Sequence, residues 1–184
     1  VGRIDPAAAD IIAGSPFFLI ATSDAHGGCD VSPRGGPPGQ LIVLDEGHLA
    51  FPDLSGNNLI DTLSNLIDNP RAGLLVVTPG RDETVRVDGR ARLSTDPELL
   101  ERWSALVRTP TCAVVIKVDN VFLHCPKSFR RGGVWDQQSW AALPEAPDTV
   151  AVFAEAAGFD GDLGDLKAAL EASYASDLAG EAPT

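Results

Sequence analysis

Two rhythms of apolar residues run along the chain. One is the short apolar or alternating run of a β-strand. Residues 17–23, FFLIATS, form such a run and read as a buried strand. The turn DAHGG follows, extended structure resumes over 29–33, and the pair predicts a hairpin. Residues 40–45 and 48–52 flank Glu46-Gly47 and predict a second hairpin. Residues 72–79 and 111–125 read as two further strands. Between them, residues 83–93 alternate: Val85, Val87, Ala91 and Leu93 point one way, and Thr84, Arg86, Asp88, Arg90 and Arg92 the other. Gly89 in mid-strand signals a bulge or a close backbone approach.

The other rhythm is helical. Asp5 and Pro6 suit the start of a helix running to Ala13. Leu59, Ile60, Leu63, Leu66 and Ile67 mark an apolar helix face, with Asn58, Asp61, Thr62 and Asn65 opposite. Ser55 or Asn57 caps this helix, and Asn69-Pro70 ends it. Residues 95–106 predict another helix, capped by Thr95 or Asp96. Beyond Trp140 the pattern turns helical over 148–157 and 162–178, with Leu163, Leu166, Leu170, Tyr174 and Leu178 as an apolar stripe. Residues 34–39, RGGPPG, are expected to be irregular.

Short strands joined mostly by turns argue for a mainly β, α+β fold: a six-stranded antiparallel barrel with inserted and C-terminal helices. The strict βαβ alternation of a dinucleotide-binding sheet is absent, as are GxGxxG and the P-loop. The expected organisation is an N-terminal helical segment (1–14), a barrel (15–140) and a helical extension of the same domain (141–184).

Charge narrows the partners. The 184-residue chain carries 26 Asp and Glu against 14 Lys and Arg, a net charge of −12. Residues 141–184 hold nine of the acids and one Lys, so the extension reads as a solvated acidic face. No basic face is evident, which disfavours nucleic acid. No apolar run approaches the ~20 residues needed to span a bilayer. The first residues lack a basic start and a long apolar stretch, so a cytoplasmic location is expected. Three cysteines without a CxxC do not suggest a disulfide framework.

Against this acidity, residues 124–136, HCPKSFRRGGVWD, stand out. A zinc site would need to gather His26, Cys29, His124 and Cys125. His124 and Cys125 are adjacent at a strand end and point to opposite faces, so no metal site is expected. Nor is there a GxSxG nucleophile elbow. An anion site fits better. Arg offers a planar fork, Lys a point charge, and glycines allow close approach. Such groups occur in three places: Arg34 in SPRGG, Asn57 and Asn58 at a helix start, and Lys127, Arg130 and Arg131. Nothing in the spacing alone shows that the three converge.

The ordered segments DVSPRGGPPG, FPDLSGNNLIDTLSNLIDNP, ETVRVDGRARL and HCPKSFRRGGVWD resemble the pyridoxamine 5′-phosphate oxidase-like FMN-binding split barrels. They are most similar to a bacterial branch described as probable FMN-dependent enzymes. The resemblance covers about residues 15–140. It implies a six-stranded split barrel, FMN as cofactor and a homodimer with FMN at the interface. It also implies a small-molecule substrate. The residues it points to for cofactor binding are Ser32, Arg34, Asn57, Asn58, Thr62, Thr84, Lys127, Arg130, Arg131 and Trp135. Two departures matter. Leu59 stands where a basic residue would help hold phosphate, and the Arg-His pair that handles pyridoxamine phosphate is missing from the acidic C-terminal region. The implied activity is therefore a flavin-dependent oxidoreductase of another substrate. The alternatives are a flavin or deazaflavin-dependent reductase, and a flavin-binding or storage protein without turnover.

Overall fold

The computed structural model describes residues 2–54, 60–140, 143–144 and 147–183. Helix α1 (Pro6–Gly14) starts where Asp5 accepts a hydrogen bond from the Ala8 amide, and Ala8 and Ile12 are buried. Seven strands follow: β1 (Phe17–Ser23), β2 (Cys29–Gly35), β3 (Ile42–Asp45), β4 (His48–Pro52), β5 (Arg71–Val77), β6 (Thr84–Ser94) and β7 (Ala113–His124). Helix α2 (Asp61–Asp68) lies between β4 and β5, and the short α3 (Pro97–Glu101) between β6 and β7. Four helices close the chain: α4 (Lys127–Gly132), α5 (Gln137–Trp140), α6 (Thr149–Ala157) and α7 (Leu163–Gly180).

The strands form one antiparallel sheet in the order β2-β1-β5-β6-β7-β4-β3. The sheet has seven strands rather than the expected six; β3 and β4 form the hairpin expected around Glu46-Gly47, and β4 joins the sheet through β7. Arg34 and Gly35 were expected in irregular structure. They instead continue β2, opposite Phe18 and Phe17.

The sheet is curled. β1 and β4 stand four places apart, ~19 Å in a flat sheet at about 4.8 Å per strand. Yet the Phe18 and Phe51 rings meet edge to face with centroids 5.0 Å apart. The inner faces of the strands therefore close on one core, which includes Ile20, Leu74, Val76, Val87 and Ile116. Burying each such side chain contributes about 1.5–3 kcal/mol. Helix α1 adds Ile12 to this core.

A second cluster covers the outer face of β4 and β7. Ala50, Ala113 and Val115 pack there against Leu100, Trp103 and Val107. The helix expected over 95–106 stops at Glu101, and the turns after it bring Trp103 down onto the sheet. Its indole N–H donates to the Gln40 carbonyl at 2.9 Å. Gly89 marks a break in register between β6 and β7. A Cβ there would collide with the Lys117 carbonyl and lie 2.7 Å from Ile116 Cγ2. Helix α7 forms as expected, but its stripe is not buried: Leu163, Tyr174 and Leu178 are exposed.

Candidate functional site

The pleat of β2 builds the site. Asp30, Ser32 and Arg34 pair with Thr22, Ile20 and Phe18 of β1. Directly paired residues share a face, so these three polar side chains lie on the inner face of an edge strand. Val31 points the other way and is exposed.

Helix α2 faces this polar strip. The sequence pattern turns Ile60 and Ile67 inward and Thr62 and Asn65 outward. The structure reverses part of that: Ile60 and Ile67 are 57% and 72% exposed, whereas Thr62 is 1% exposed. The reason is a seam of hydrogen bonds. Arg34 Nη2 donates to Thr62 Oγ1 at 3.0 Å, and Thr62 Oγ1 donates to Ser32 Oγ at 3.4 Å. Asn65 Nδ2 donates to Thr22 Oγ1 at 3.1 Å, and Thr22 Oγ1 donates to Asp30 Oδ1 at 2.6 Å. Asn69 Nδ2 donates to Ser23 Oγ at 2.8 Å. Polar groups can be buried here because β1 and β2 supply their partners. Leu66 remains the apolar anchor of the helix. Asp30 Oδ2 is buried without a hydrogen-bond partner among the described residues.

Ser32 and Arg34 open into a cleft of about 360 Å³, within the range of small-molecule sites. Phe18, Gln40, Pro52 and Leu54 line its other walls, and Leu178 and Glu181 at the end of the chain stand at it as well. Burial lowers the Arg34 pKa from its usual value, opposed by Asp53 and Asp30. Burial raises the Asp53 carboxyl, opposed by Arg34. The neighbouring Cys112 thiol is also pushed up, first by burial and further by Asp53.

The remaining sequence-predicted residues lie elsewhere in the chain. Asn57 and Asn58 fall outside the described residues. Thr84 is buried at the start of β6, opposite Val77 and His124. By strand register it lies on the outer face, with β1 and β5 between it and β2. Lys127, Arg130 and Arg131 belong to α4, a short helix closed by Gly133 in the left-handed region. Arg130 Nε donates to Asp82 Oδ2 at 2.8 Å. Trp135 stacks on Phe129 and donates to the Arg81 carbonyl at 2.7 Å. One chain thus brings Ser32, Arg34 and Thr62 together and keeps Thr84 and the α4 group apart from them.

Sequence reasoning missed Asp30, Gln40, Asp53, Leu178 and Glu181. For Asp30 a signal existed: D-x-S-x-R places polar residues at every second position, with Val31 between them.

A curled antiparallel sheet with a polar edge strand and a helix across it defines a split-barrel protein. The family model described as pyridoxamine 5′-phosphate oxidase matches residues 4–125, and the chain belongs to that family. No curated protein matches the sequence. Solved structures that share the fold include three of low sequence identity. HupZ of Group A Streptococcus is 19% identical over 65% of this chain and 93% of its own, with a TM-score of 0.55. A proposed pyridoxamine 5′-phosphate oxidase of Lactobacillus delbrueckii is 20% identical over 66% and 95%, with a TM-score of 0.53. An FMN-binding protein of Syntrophomonas wolfei is 15% identical over 64% and 84%, with a TM-score of 0.51.

Proposed function

We propose that the chain binds FMN with its phosphate end at Arg34 and works as a flavin-dependent oxidoreductase. The observation that carries this reading is the convergence of Ser32, Arg34 and Thr62 from β2 and α2, two of them at one cleft. Their chemistry fits a phosphate monoester. Arg34 has five N–H donors, and two nitrogens are engaged, with Thr62 and with the Pro33 carbonyl. The Ser32 hydroxyl adds a further donor, and Thr62, whose own proton goes to Ser32 Oγ, orients both side chains. The buried Asp30 oxygen without a partner suits a ligand hydroxyl, such as one of a ribityl chain. When bound, the flavin ring supplies the hydride and electron transfer. This chain's residues bind and orient it. The FMN-binding relative of the same fold agrees with the reading.

Thr84, Lys127, Arg130, Arg131 and Trp135 find a place in the same reading if the chain is a homodimer. In a two-fold pair each surface meets its copy, and the outer face of one chain then covers the cofactor held by the other. Exposed apolar residues on that face, Val31 and Phe122, support this arrangement. Among the described residues no helix is long and apolar enough to cross a membrane. The proposed location is the cytoplasm.

The test is an absorbance spectrum of the purified protein after incubation with FMN and gel filtration. Flavin bands that travel with the protein, and bleach with a reductant such as NAD(P)H, are expected. Protein that emerges colourless refutes the cofactor. Protein that holds FMN but exchanges no electrons with any reductant refutes the enzymatic part.

A further inference from the structure

We infer that the last turn of α7 is a displaceable strap at the rim of the Arg34 cleft, which leaves its place when a flavin is seated there. The inference rests on the flavin reading above and adds how that site opens.

Helix α7 spans 18 residues, and none of them is buried. Leu163, Tyr174 and Leu178 of its apolar stripe stay exposed. Its last turn nevertheless reaches the barrel. Leu178 and Glu181 line the cleft together with Ser32, Arg34, Pro52 and Leu54. Glu181 caps the helix, and its carbonyl accepts a hydrogen bond from the Arg108 amide at 2.7 Å. The anchor on the barrel side is firmly placed, because Val107 is buried with Leu100 and Trp103 in the second core cluster. The helix end that it holds has no such packing.

Leu178 lines the cleft and is still 68% exposed, so it stands at the rim rather than in the floor. An apolar side chain there gains little from burial and offers nothing to the Ser32 hydroxyl or the Arg34 guanidinium. One backbone hydrogen bond contributes little net stability. An element with few buried apolar contacts opens at low cost. A flavin held at Arg34 has to pass this rim. In the two-chain arrangement proposed above, the outer face of a second copy covers the same cofactor, so the strap stands on an approach that both need. The apparent affinity of a ligand is its intrinsic affinity scaled by the fraction of chains that are open. The strap therefore weakens every flavin by the same factor, with or without a phosphate.

The experiment follows amide hydrogen exchange in the full wild-type chain, with and without saturating FMN. Amides of β2 and α2 are expected to exchange more slowly with FMN, while the Arg108 amide, which loses its acceptor, exchanges faster. Slowing at β2 and α2 with Arg108 unchanged or slowed overturns the strap, because the turn is then a fixed wall of the site. Leu178→Gly gives a second reading at an exposed position where the barrel does not depend on the side chain. It loosens the last helical turn and is expected to tighten FMN and riboflavin alike by about three- to fivefold, the worth of the change in helix propensity. Unchanged or weakened affinity for both flavins overturns the strap, as does a gain confined to one of them. Absence of FMN binding, with no amide slowed in β2 or α2, is a distinct result that removes the flavin reading and the strap with it.

Discussion

Arg34 donates to Thr62 Oγ1 at 3.0 Å, and this bond, with the longer one from Thr62 Oγ1 to Ser32 Oγ, joins the edge strand β2 to helix α2 at the wall of the cleft. It also fixes the direction of the guanidinium. An unrestrained arginine would lose rotamer freedom on binding an anion. Here part of that ordering is already in place, and the remaining N–H donors are presented beside the Ser32 hydroxyl.

Removing either partner should therefore act on phosphate more than on the flavin ring. Arg34→Ala is expected to weaken FMN by about 10- to 100-fold, the equivalent of one charge-assisted hydrogen bond of ~1.5–3 kcal/mol. Thr62→Val keeps the shape but removes the acceptor, and is expected to have a smaller effect in the same direction. Riboflavin affinity should change little in both. Parallel titrations of the two ligands check this, and equal losses for both would place the phosphate elsewhere.

The strand pattern was legible in the sequence because period-two alternation and turn residues are local signals. Alternation places Val85, Val87 and Ala91 on one face, and all three are buried. The orientation of α2 was not legible. Apolar periodicity assigns Ile60 and Ile67 to the core, but Thr62, Asn65 and Asn69 face the barrel because Arg34, Ser32, Thr22 and Ser23 satisfy them. That compensation joins residues 28 to 46 positions apart, beyond the reach of any local rule. Arg34 was found because its motif is compact. Asp53 and Gln40 belong to no pattern; the fold brings Gln40 to the cleft and Asp53 within electrostatic reach of Arg34.

Trp103 supports the cleft from behind. It is fully buried, and its indole N–H satisfies the carbonyl of Gln40, whose residue lines the cleft. Trp103→Ala is expected to cost about 3–5 kcal/mol through the cavity it leaves. Trp103→Phe fills more of that space but strands the Gln40 carbonyl, a penalty of about 1–3 kcal/mol. Urea unfolding midpoints give both values, and a neutral Trp103→Phe would mean the carbonyl finds another donor.

Gly89 tests the strand break. Any Cβ at this position collides with the Lys117 backbone across the β6–β7 pair and crowds Ile116. Backbone cannot swing aside as a side chain can. Gly89→Ala should therefore destabilise by about 1–3 kcal/mol, the usual cost of overpacking. A change within a few tenths of a kcal/mol would show that the register there adjusts freely.

The outer face tests the homodimer. Val31 is 64% exposed on the edge strand, so a charge there should be tolerated by the isolated fold. Val31→Asp is expected to leave the unfolding midpoint of a monomer unchanged but to shift sedimentation from dimer to monomer, with loss of FMN. A wild-type protein that sediments as a monomer while carrying FMN would end the interface model.

The last prediction concerns Asp53 and stability. Burial raises its folded pKa above the ordinary value of 3.8, and the attraction of Arg34 only partly offsets this. Between the unfolded and folded pKa values the folded chain binds more protons than the unfolded chain. Stability therefore falls as pH rises through that window. Above the folded pKa the charged carboxylate imposes its full penalty, and below the unfolded pKa the penalty disappears. Asp53→Asn should thus raise the melting temperature at neutral pH, with a gain that shrinks as pH drops toward ~4. Thermal melts of both proteins at a series of pH values provide the comparison. A variant less stable than wild type at neutral pH would show that attraction to Arg34 outweighs the cost of burying the carboxylate.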